Sequence, residues 1–480
     1  MGKTMYDIAI IGAGIIGCAV ARELAKYNLK ICLIEKNEDI GAEATKANSG
    51  IVHGGYAEKP GSVKAKFSFK GNSMYKQLNA ELNFGFAQTG SLVIGFDEKD
   101  AAKINELFVY GQKNGVPNLQ IVNGAFVQAK EPNLNKDITV ALYCPTAGIT
   151  SPYEFAIALA ENAVQNGVEL KLNSKVTAIK KSCAHFIVTT NQELLITKIV
   201  INTAGLYTDE IAKMVGINEF IINPRQGQYL LFDKDQGELI NSIIFQVPTA
   251  ISKGILVTKT YHGNLLIGPD ATPVSAKDYL DTASKNISEI IEVAKKSFPA
   301  FDLQKVITTF SGNRAAATTE DFIIEESKIK GFINVAGIES PGLTAAPAIA
   351  TYVSEIVAAT KQVKLISKTA FNPYRKAYYT IASMQEQALN NLIKQDAKYG
   401  RVVCRCETVS EGEICDALHR NIPINSLDAI KRRTRAGMGR CQGAFCTPKI
   451  MEIIHKELQI PKEKITKKGG KSLLVFGRTK

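Results

Sequence analysis

"MYDIAIIGAGIIGCAVARELAKYNLKICLIEK", residues 5 to 36, decides the fold. Tyr6 to Ile11 is a short apolar run that reads as a buried strand. Gly12, Gly14 and Gly17 follow at GxGxxG spacing, "CAVARELAKY" has helical periodicity, and "KICLIE" is a second strand-like run. Gly12 permits a tight turn, Gly14 lets a pyrophosphate approach the backbone, and Gly17 lets the helix close on the sheet. The free N–H groups and positive end of that helix then face the phosphates. Glu35, at the end of the second strand, is placed to accept hydrogen bonds from an adenosine ribose. GxGxxG alone also marks ordinary glycine turns. A strand before it, a helix after it and an acid closing the next strand make it a dinucleotide site.

Two later segments repeat the pattern. "KIVINTAGLYTDEIAKMVG" (198–216) reads as strand, Ala204-Gly205 turn and helix, as a strand returning to the same sheet would. "KGFINVAGIESPGLTAAPAIATYVSEIVA" (330–358) runs from a strand (332–336) through Gly337 into a small-residue helix opening at Gly342, Leu343 and Thr344. A helix start carries roughly half a positive charge, suited to the anion that forms when a flavin is reduced. Taken singly, each is also a common strand-helix connection.

In this order the three segments resemble the flavin domain of the D-amino-acid oxidase and glycerol-3-phosphate dehydrogenase superfamily, over about residues 5 to 365. The resemblance implies FAD and an α/β fold. A Rossmann-like FAD domain would be assembled from residues 1–85, 146–216 and 326–366, and a mostly antiparallel α+β substrate domain from 86–145 and 217–325.

Three patches outside the fingerprint look chemical. "ATKANSGIVHGGYAEKPGSVKAK" (44–66) is a polar, glycine-rich loop with His53 beside Gly54 and Gly55. Oxidising an alcohol needs a group to take the hydroxyl proton while hydride leaves carbon, and histidine has the right basicity; a conformational role is the alternative. "NPRQGQYLLF" (223–232) and "VTKTYHGNLLIGPDAT" (257–272) look like paired strands with Arg225 and His262 at their edges, while Lys253, Lys259 and Tyr261 are weaker candidates. In "TTFSGNRAAATTEDFII" (308–324), Arg314 follows a strand and a glycine. An arginine among small residues needs an anion, either a carboxylate or phosphate on the substrate or a structural acid. The family resemblance implies that Arg314 and His53 face substrate and flavin. The loop "HGGYAEKPGSVKAK" lacks the arginine usual in glycerol-3-phosphate dehydrogenases and is similar to that of L-2-hydroxyglutarate dehydrogenases, so a compact anionic 2-hydroxy compound is the expected substrate.

"CRCETVSEGEICDALHRNIPINSLDAIKRRTRAGMGRCQGAFC" (404–446) holds five of the nine cysteines. Cys404 and Cys406 form a CxC, and Cys441 and Cys446 a CxxxxC. Two such pairs brought together by a short helical fold make a four-thiolate site. Cys415 falls at an apolar position of a Ser-capped helix in "VSEGEICDALHR" and reads as core; "SLDAIKRRTRAG" reads as a second capped helix ended by Gly437. Zinc modules mostly use CxxC pairs, whereas these loops would wrap a larger object. An anionic iron-sulfur cluster would also give Lys431, Arg432, Arg433, Arg435 and Arg440 a compensating role. The spacing resembles the bacterioferritin-associated-ferredoxin-like 2Fe-2S domain, matched over residues 402–450, which implies a small C-terminal helical domain (402–455). It would follow a polar linker (367–401) and precede a basic tail (456–480) that is a short edge strand or a docking segment.

The net charge of +12 is spread along 480 residues, which suggests anionic small molecules before nucleic acid. No apolar run reaches the ~18 residues of a membrane span, so no integral span is expected. The run "IAIIGAGIIGCAVA" has the length of a signal peptide, but Lys3 alone precedes it and it continues into a folded unit. Cytoplasmic residence is expected, with Cys18, Cys32, Cys144 and Cys183 as buried thiols. The reading is an FAD and 2Fe-2S dehydrogenase of the glycerol-3-phosphate dehydrogenase type, passing electrons to a partner redox protein or subunit as a hetero- or homo-oligomer. The rivals are an L-2-hydroxyglutarate or other 2-hydroxy-acid dehydrogenase, a non-catalytic electron-transfer subunit, and a zinc-type nucleic-acid module.

Overall fold

The computed structural model describes residues 5–248 and 254–477. Lys3 and Lys253 lie outside the described residues. The Met5–Ile11 strand pairs in parallel with Ile31–Ile34 on one side and Leu194–Asn202 on the other, and the end of the latter pairs in parallel with Phe332–Ala336. All four strands are nearly continuous apolar runs, as a sheet covered on both faces requires. They finish at one sheet edge, so the turns at Gly12, Glu35, Ala204-Gly205 and Gly337 gather there. In open α/β sheets the crevice beyond the carboxyl ends of the strands is where ligands bind.

One face of this sheet is packed by the Ile15–Leu24, Val63–Leu82, Pro152–Gln165 and Gly342–Ala359 helices. The last is long and apolar enough to cross a membrane by length and composition alone. Its small residues let it lie instead against the Ile15–Leu24 and Val63–Leu82 helices, and most of it is buried. At Gly71 on the second helix, a Cβ would overlap the Thr344 carbonyl.

A second sheet of nine strands spans residues 91–144 and 222–317 and is antiparallel except where Ser91–Gly95 meets Ile243–Gln246. Leu230 and Leu231 pair with Ile267 and Leu266. The longest ladder joins Ile222–Phe232 to Val306–Ala317 and sets Arg225 directly opposite Arg314. A small three-stranded sheet of Ile51–Val52, Phe86–Ala87 and Gly148–Thr150 carries the His53 loop.

Residues 367–401 contain the Glu386–Gln395 helix but are strapped down along the flavin-domain surface. Arg375 is buried, with Nε donating to Glu161 (2.5 Å) and Nη1 to the carbonyl of Leu82 (3.0 Å). The C-terminal unit packs a Val402–Cys404/Val409–Ser410 hairpin on the Glu411–Leu418, Leu427–Thr434 and Thr447–Leu458 helices around its own core. Ser410 caps the first helix in a reciprocal capping box with Glu413. The second ends two residues before Gly437, at Arg435 in the left-handed region (φ 68°). Cys415 is buried in this core, and so are Cys18, Cys32 and Cys144 elsewhere. Cys183 is exposed, because it sits at the tip of the hairpin between the Val176–Ser182 and His185–Thr190 strands.

Candidate active site and cluster site

A cavity of about 290 Å³ opens between the two large sheets. It runs from the helix start at Gly14–Ile16, past the 44–53 loop and Gly205, to the helix start at Gly342 and Leu343. The Arg225/Arg314 ladder and Tyr229 line its outer side. Two helix N-termini thus meet one elongated space, at the positions where a dinucleotide's phosphates and an isoalloxazine ring would each gain from positive potential.

The glycines shape this space from behind. Gly12 has φ +102°, and a Cβ on it would sit 2.6 Å from the Thr203 carbonyl oxygen; one on Gly17 would overlap the carbonyl of Gly12. Gly14 lies on the wall itself, where the Ile15 N–H donates to Thr45 Oγ1 (3.0 Å). Gly12, Gly17, Ala204 and Gly337 sit behind the wall and not on it; Gly337 (φ +69°) turns where a Cβ would crowd Ala317. Glu35 is buried and also off the cavity wall. Its carboxylate accepts from Ala13 N–H (2.8 Å), Asn37 N–H (2.9 Å) and the Asn37 amide (2.9 Å). Burial raises its pKa and the Asn37 and Ala13 N–H groups partly offset this, so in this arrangement it braces the phosphate loop. Thr344, read from sequence as a cofactor contact, is fully buried: its hydroxyl accepts from His53 N–H (2.9 Å) and donates to the Ile51 carbonyl (3.3 Å). It fastens the His53 loop to the helix.

His53 lines the cavity, its ring stacked on Phe245 at 5.8 Å and its Nε2 3.4 Å from Ser340 Oγ. Arg314 lines it too, donating to the backbone carbonyls of Asp270 (3.0 Å) and Gln226 (3.5 Å) and making no ion pair among the described residues. Arg225 is 3.8 Å from Glu339, whose other oxygen pairs with Lys64 at 2.9 Å. Like charges directly opposite on an antiparallel ladder repel, so the two guanidiniums favour an anion between them. His262 is elsewhere: its Nε2 bonds Glu154 at 2.8 Å, outside the cavity lining. A strand-edge position says nothing about which way a loop turns, and the 260–263 turn faces the Pro152–Gln165 helix. Lys259 and Tyr261 are off the lining as well. Ser340, Glu339, Tyr229, Lys64 and Phe245 join it unforeseen. The first two adjoin the Gly337 turn, a signal that could have found them; Phe245 comes from a strand with no chemical mark.

Among the described residues, no three cysteine, histidine or acidic side chains converge on one metal-sized point. The four C-terminal thiols stand as two pairs: Cys406 and Cys441, with sulfurs 3.8 Å apart, and Cys404 hydrogen-bonded to Cys446. That bond draws the Cys404 thiol down to about 6 and pushes Cys446 up. N–H groups of Gly437 and Glu407 point at Cys404, and those of Gly443 and Ala444 at Cys441. Two pairs fit two irons with one pair each, and amide donors suit anionic sulfur; a single zinc would call for all four on one centre.

The basic run differs from expectation. Arg432 (2.6 Å) and Arg433 (2.8 Å) both clasp Asp39, just past the dinucleotide strand Ile31–Ile34. Arg435 binds Glu407 (2.8 Å), and Arg440 pairs with Asp233. A buried aspartate draws guanidiniums more strongly than a distant cluster does, so Arg432, Arg433 and Arg440 fasten the C-terminal unit to the rest of the chain, while Arg435 braces Glu407 within that unit.

Comparison with known proteins agrees with this geometry. The FAD dependent oxidoreductase family matches residues 7–356, and the BFD-like 2Fe-2S binding domain matches residues 402–456. The chain is 48% identical over 477 residues to a glycerol 3-phosphate dehydrogenase of Caloramator mitchellensis, covering 99% of both chains. It is 33% identical to a glycerol 3-phosphate oxidase of Mycoplasma genitalium, over 76% of this chain and 97% of that one. Among solved structures, the dithionite-reduced L-alpha-glycerophosphate oxidase of Mycoplasma pneumoniae with FAD bound superposes with a TM-score of 0.74 at 30% identity, over 78% of this chain and 100% of the other. With its twin helix starts and thiol pairs, the chain belongs to the FAD dependent oxidoreductase family, as a glycerol-3-phosphate dehydrogenase-like enzyme whose cofactors are FAD and a 2Fe-2S cluster.

Proposed function

We propose that the protein oxidises sn-glycerol 3-phosphate to dihydroxyacetone phosphate and hands the electrons, through its C-terminal cluster, to a separate redox protein. The observation that carries the substrate reading is the Arg225–Arg314 pair, two guanidiniums opposed across one ladder on the cavity wall, one of them without a carboxylate partner among the described residues. A phosphate monoester offers the charge and the oxygen pairs that such a fork binds. The names of the Caloramator and Mycoplasma relatives point to the same substrate.

FAD, held by the Gly14 and Gly342 helix starts, supplies the hydride acceptor when bound. The chain's own residues do the rest. Arg314, with Arg225, anchors the phosphate. His53, locked through its backbone N–H to Thr344 and packed on Phe245, takes the hydroxyl proton as hydride leaves the same carbon. Ile51, Phe245 and Leu256 supply apolar wall that keeps water from the reacting carbon. The five cysteines outside the cluster quartet are free thiols, which suits a reducing compartment, and we place the enzyme in the cytoplasm.

The test is anaerobic addition of sn-glycerol 3-phosphate to the yellow holoprotein. Rapid bleaching of the flavin band is expected, with L-2-hydroxyglutarate inert. Bleaching by the hydroxy acid alone would move the assignment to a 2-hydroxy-acid dehydrogenase, and bleaching by neither would leave an electron-transfer subunit.

A further inference from the structure

The cluster pairs are buried unequally. Cys404 and Cys446 are inside the domain, whereas Cys406 is exposed and Cys441 half-exposed. The surface at this open side is apolar at its middle. Phe445, within the Cys441–Cys446 loop next to Cys446, is 82% exposed, with Ala444 and Pro448 exposed beside it. A phenylalanine left in water next to a redox centre is the kind of aromatic anchor that protein interfaces bury.

The rim is one-signed. Arg405, between the first two cysteines, and Lys449 are exposed and make no ion pair among the described residues. The acids between residues 402 and 449 are all withdrawn. Glu407 is held by Arg435, Glu411 by Arg401, Asp416 by Arg420 and Asp428 by Lys467, while Glu413 is buried in its capping box. The unpaired side-chain charge around the exposed sulfurs is therefore positive.

We propose that this face, with Phe445 at its centre and Arg405 and Lys449 at its rim, docks a small acidic protein that carries one electron at a time. The proposal rests on the reading that electrons leave through the cluster, and it names the partner's chemistry and where it binds. Each alcohol oxidised to a ketone releases two electrons and two protons. Two carrier molecules take one electron each in succession, and the protons pass to solvent. Positive rim charges steer an acidic carrier and set its orientation, and the apolar centre excludes water where the two redox groups approach.

The experiment uses the cofactor-loaded full chain with an acidic rubredoxin as probe and basic cytochrome c as control. Binding is read by calorimetry at low and raised salt, and carrier reduction under anaerobic conditions with sn-glycerol 3-phosphate. Wild type should bind rubredoxin and not cytochrome c, with affinity falling as salt rises. The double variant Arg405→Glu/Lys449→Glu and the single Phe445→Ser should each weaken rubredoxin binding about 10-fold or more, while flavin bleaching by substrate keeps its wild-type rate. Tighter binding of cytochrome c, binding of neither carrier, or rubredoxin binding indifferent to the substitutions would overturn the proposal. So would a dimeric wild type that Phe445→Ser turns into a monomer, because the face would then be occupied by a second copy. Rubredoxin binding as expected with no flavin bleaching would leave this surface standing and remove the substrate assignment instead.

Discussion

Arg314 reaches the cavity from the strand that faces Arg225, its guanidinium oriented by two backbone carbonyls and, among the described residues, not neutralised by an acid. That arrangement holds a fixed donor fork at the cost of repulsion with Arg225, which the proposed phosphate binding would relieve. Arg314→Ala therefore removes binding that is present in both ground and transition states. Hydrogen bonds to charged groups contribute about 1.5–3 kcal/mol each, so KM for sn-glycerol 3-phosphate should rise about 10- to 100-fold with a smaller change in kcat. Steady-state kinetics with an artificial acceptor measure this, and a rise confined to kcat would contradict an anchoring role. Arg314→Lys should recover only part of the loss, since a point charge cannot reproduce the fork. In the mechanism proposed above, His53 serves a different step. His53→Asn should slow anaerobic flavin bleaching by about 10²- to 10⁴-fold at saturating substrate, and an unchanged bleaching rate would assign the histidine to shape alone.

At the scale of elements, three strand ends and their turns carry the nucleotide site, and Gly17 shows how tightly. A methyl group there would collide with the Gly12 carbonyl and lie 2.8 Å from Thr203 Oγ1, pushing the Ile15–Leu24 helix off the turn it must touch. Gly17→Ala is expected to fold around its other cores yet purify with little flavin, which the ratio of flavin to protein absorbance reports. This region was legible because it is local: strand, glycine turn, helix and acid lie within 31 residues, from Met5 to Glu35. The capped C-terminal helices were legible for the same reason, each announced by a serine. Glu35 shows the limit of such reading, because spacing brought it to the right sheet edge but could not show that Ala13 and Asn37 fill three of its roughly four acceptor sites. His262 was misplaced because the direction of a loop is set by packing against a helix more than a hundred residues away. Phe245 and Tyr229 were invisible because an aromatic in a strand carries the same signal in a core as on a cavity wall.

For the whole molecule, the same gap between local and long-range information is widest at the domain junction. The run "KRRTR" is basic in sequence, but only the fold shows Asp39, fully buried, gripped by Arg432 and Arg433 from the far end of the chain. With Arg435 also reaching Tyr153, and the linker residue Arg375 tied to Glu161, this clasp fixes the cluster domain against the flavin domain. A fixed spacing between the two redox centres is what electron passage from one to the other requires. Burial alone would raise the Asp39 pKa, but the paired guanidiniums override it and bring it to about 2. Asp39→Asn leaves two arginines buried without a counter-charge, and breaking a buried pair in this way costs about 3–5 kcal/mol. The sign of the pH dependence follows from the depressed value. The carboxylate's contribution is complete above its unfolded pKa, near 4, and is lost only as pH falls from there towards 2. The stability gap between wild type and Asp39→Asn should therefore be the same at pH 5 and pH 8. Urea unfolding of the loaded protein, followed by cluster circular dichroism for one domain and flavin fluorescence for the other, measures it. The cluster domain should detach first in the variant, and a gap that shrinks between pH 8 and pH 5 would show that Asp39 does not hold the junction as an ionised carboxylate.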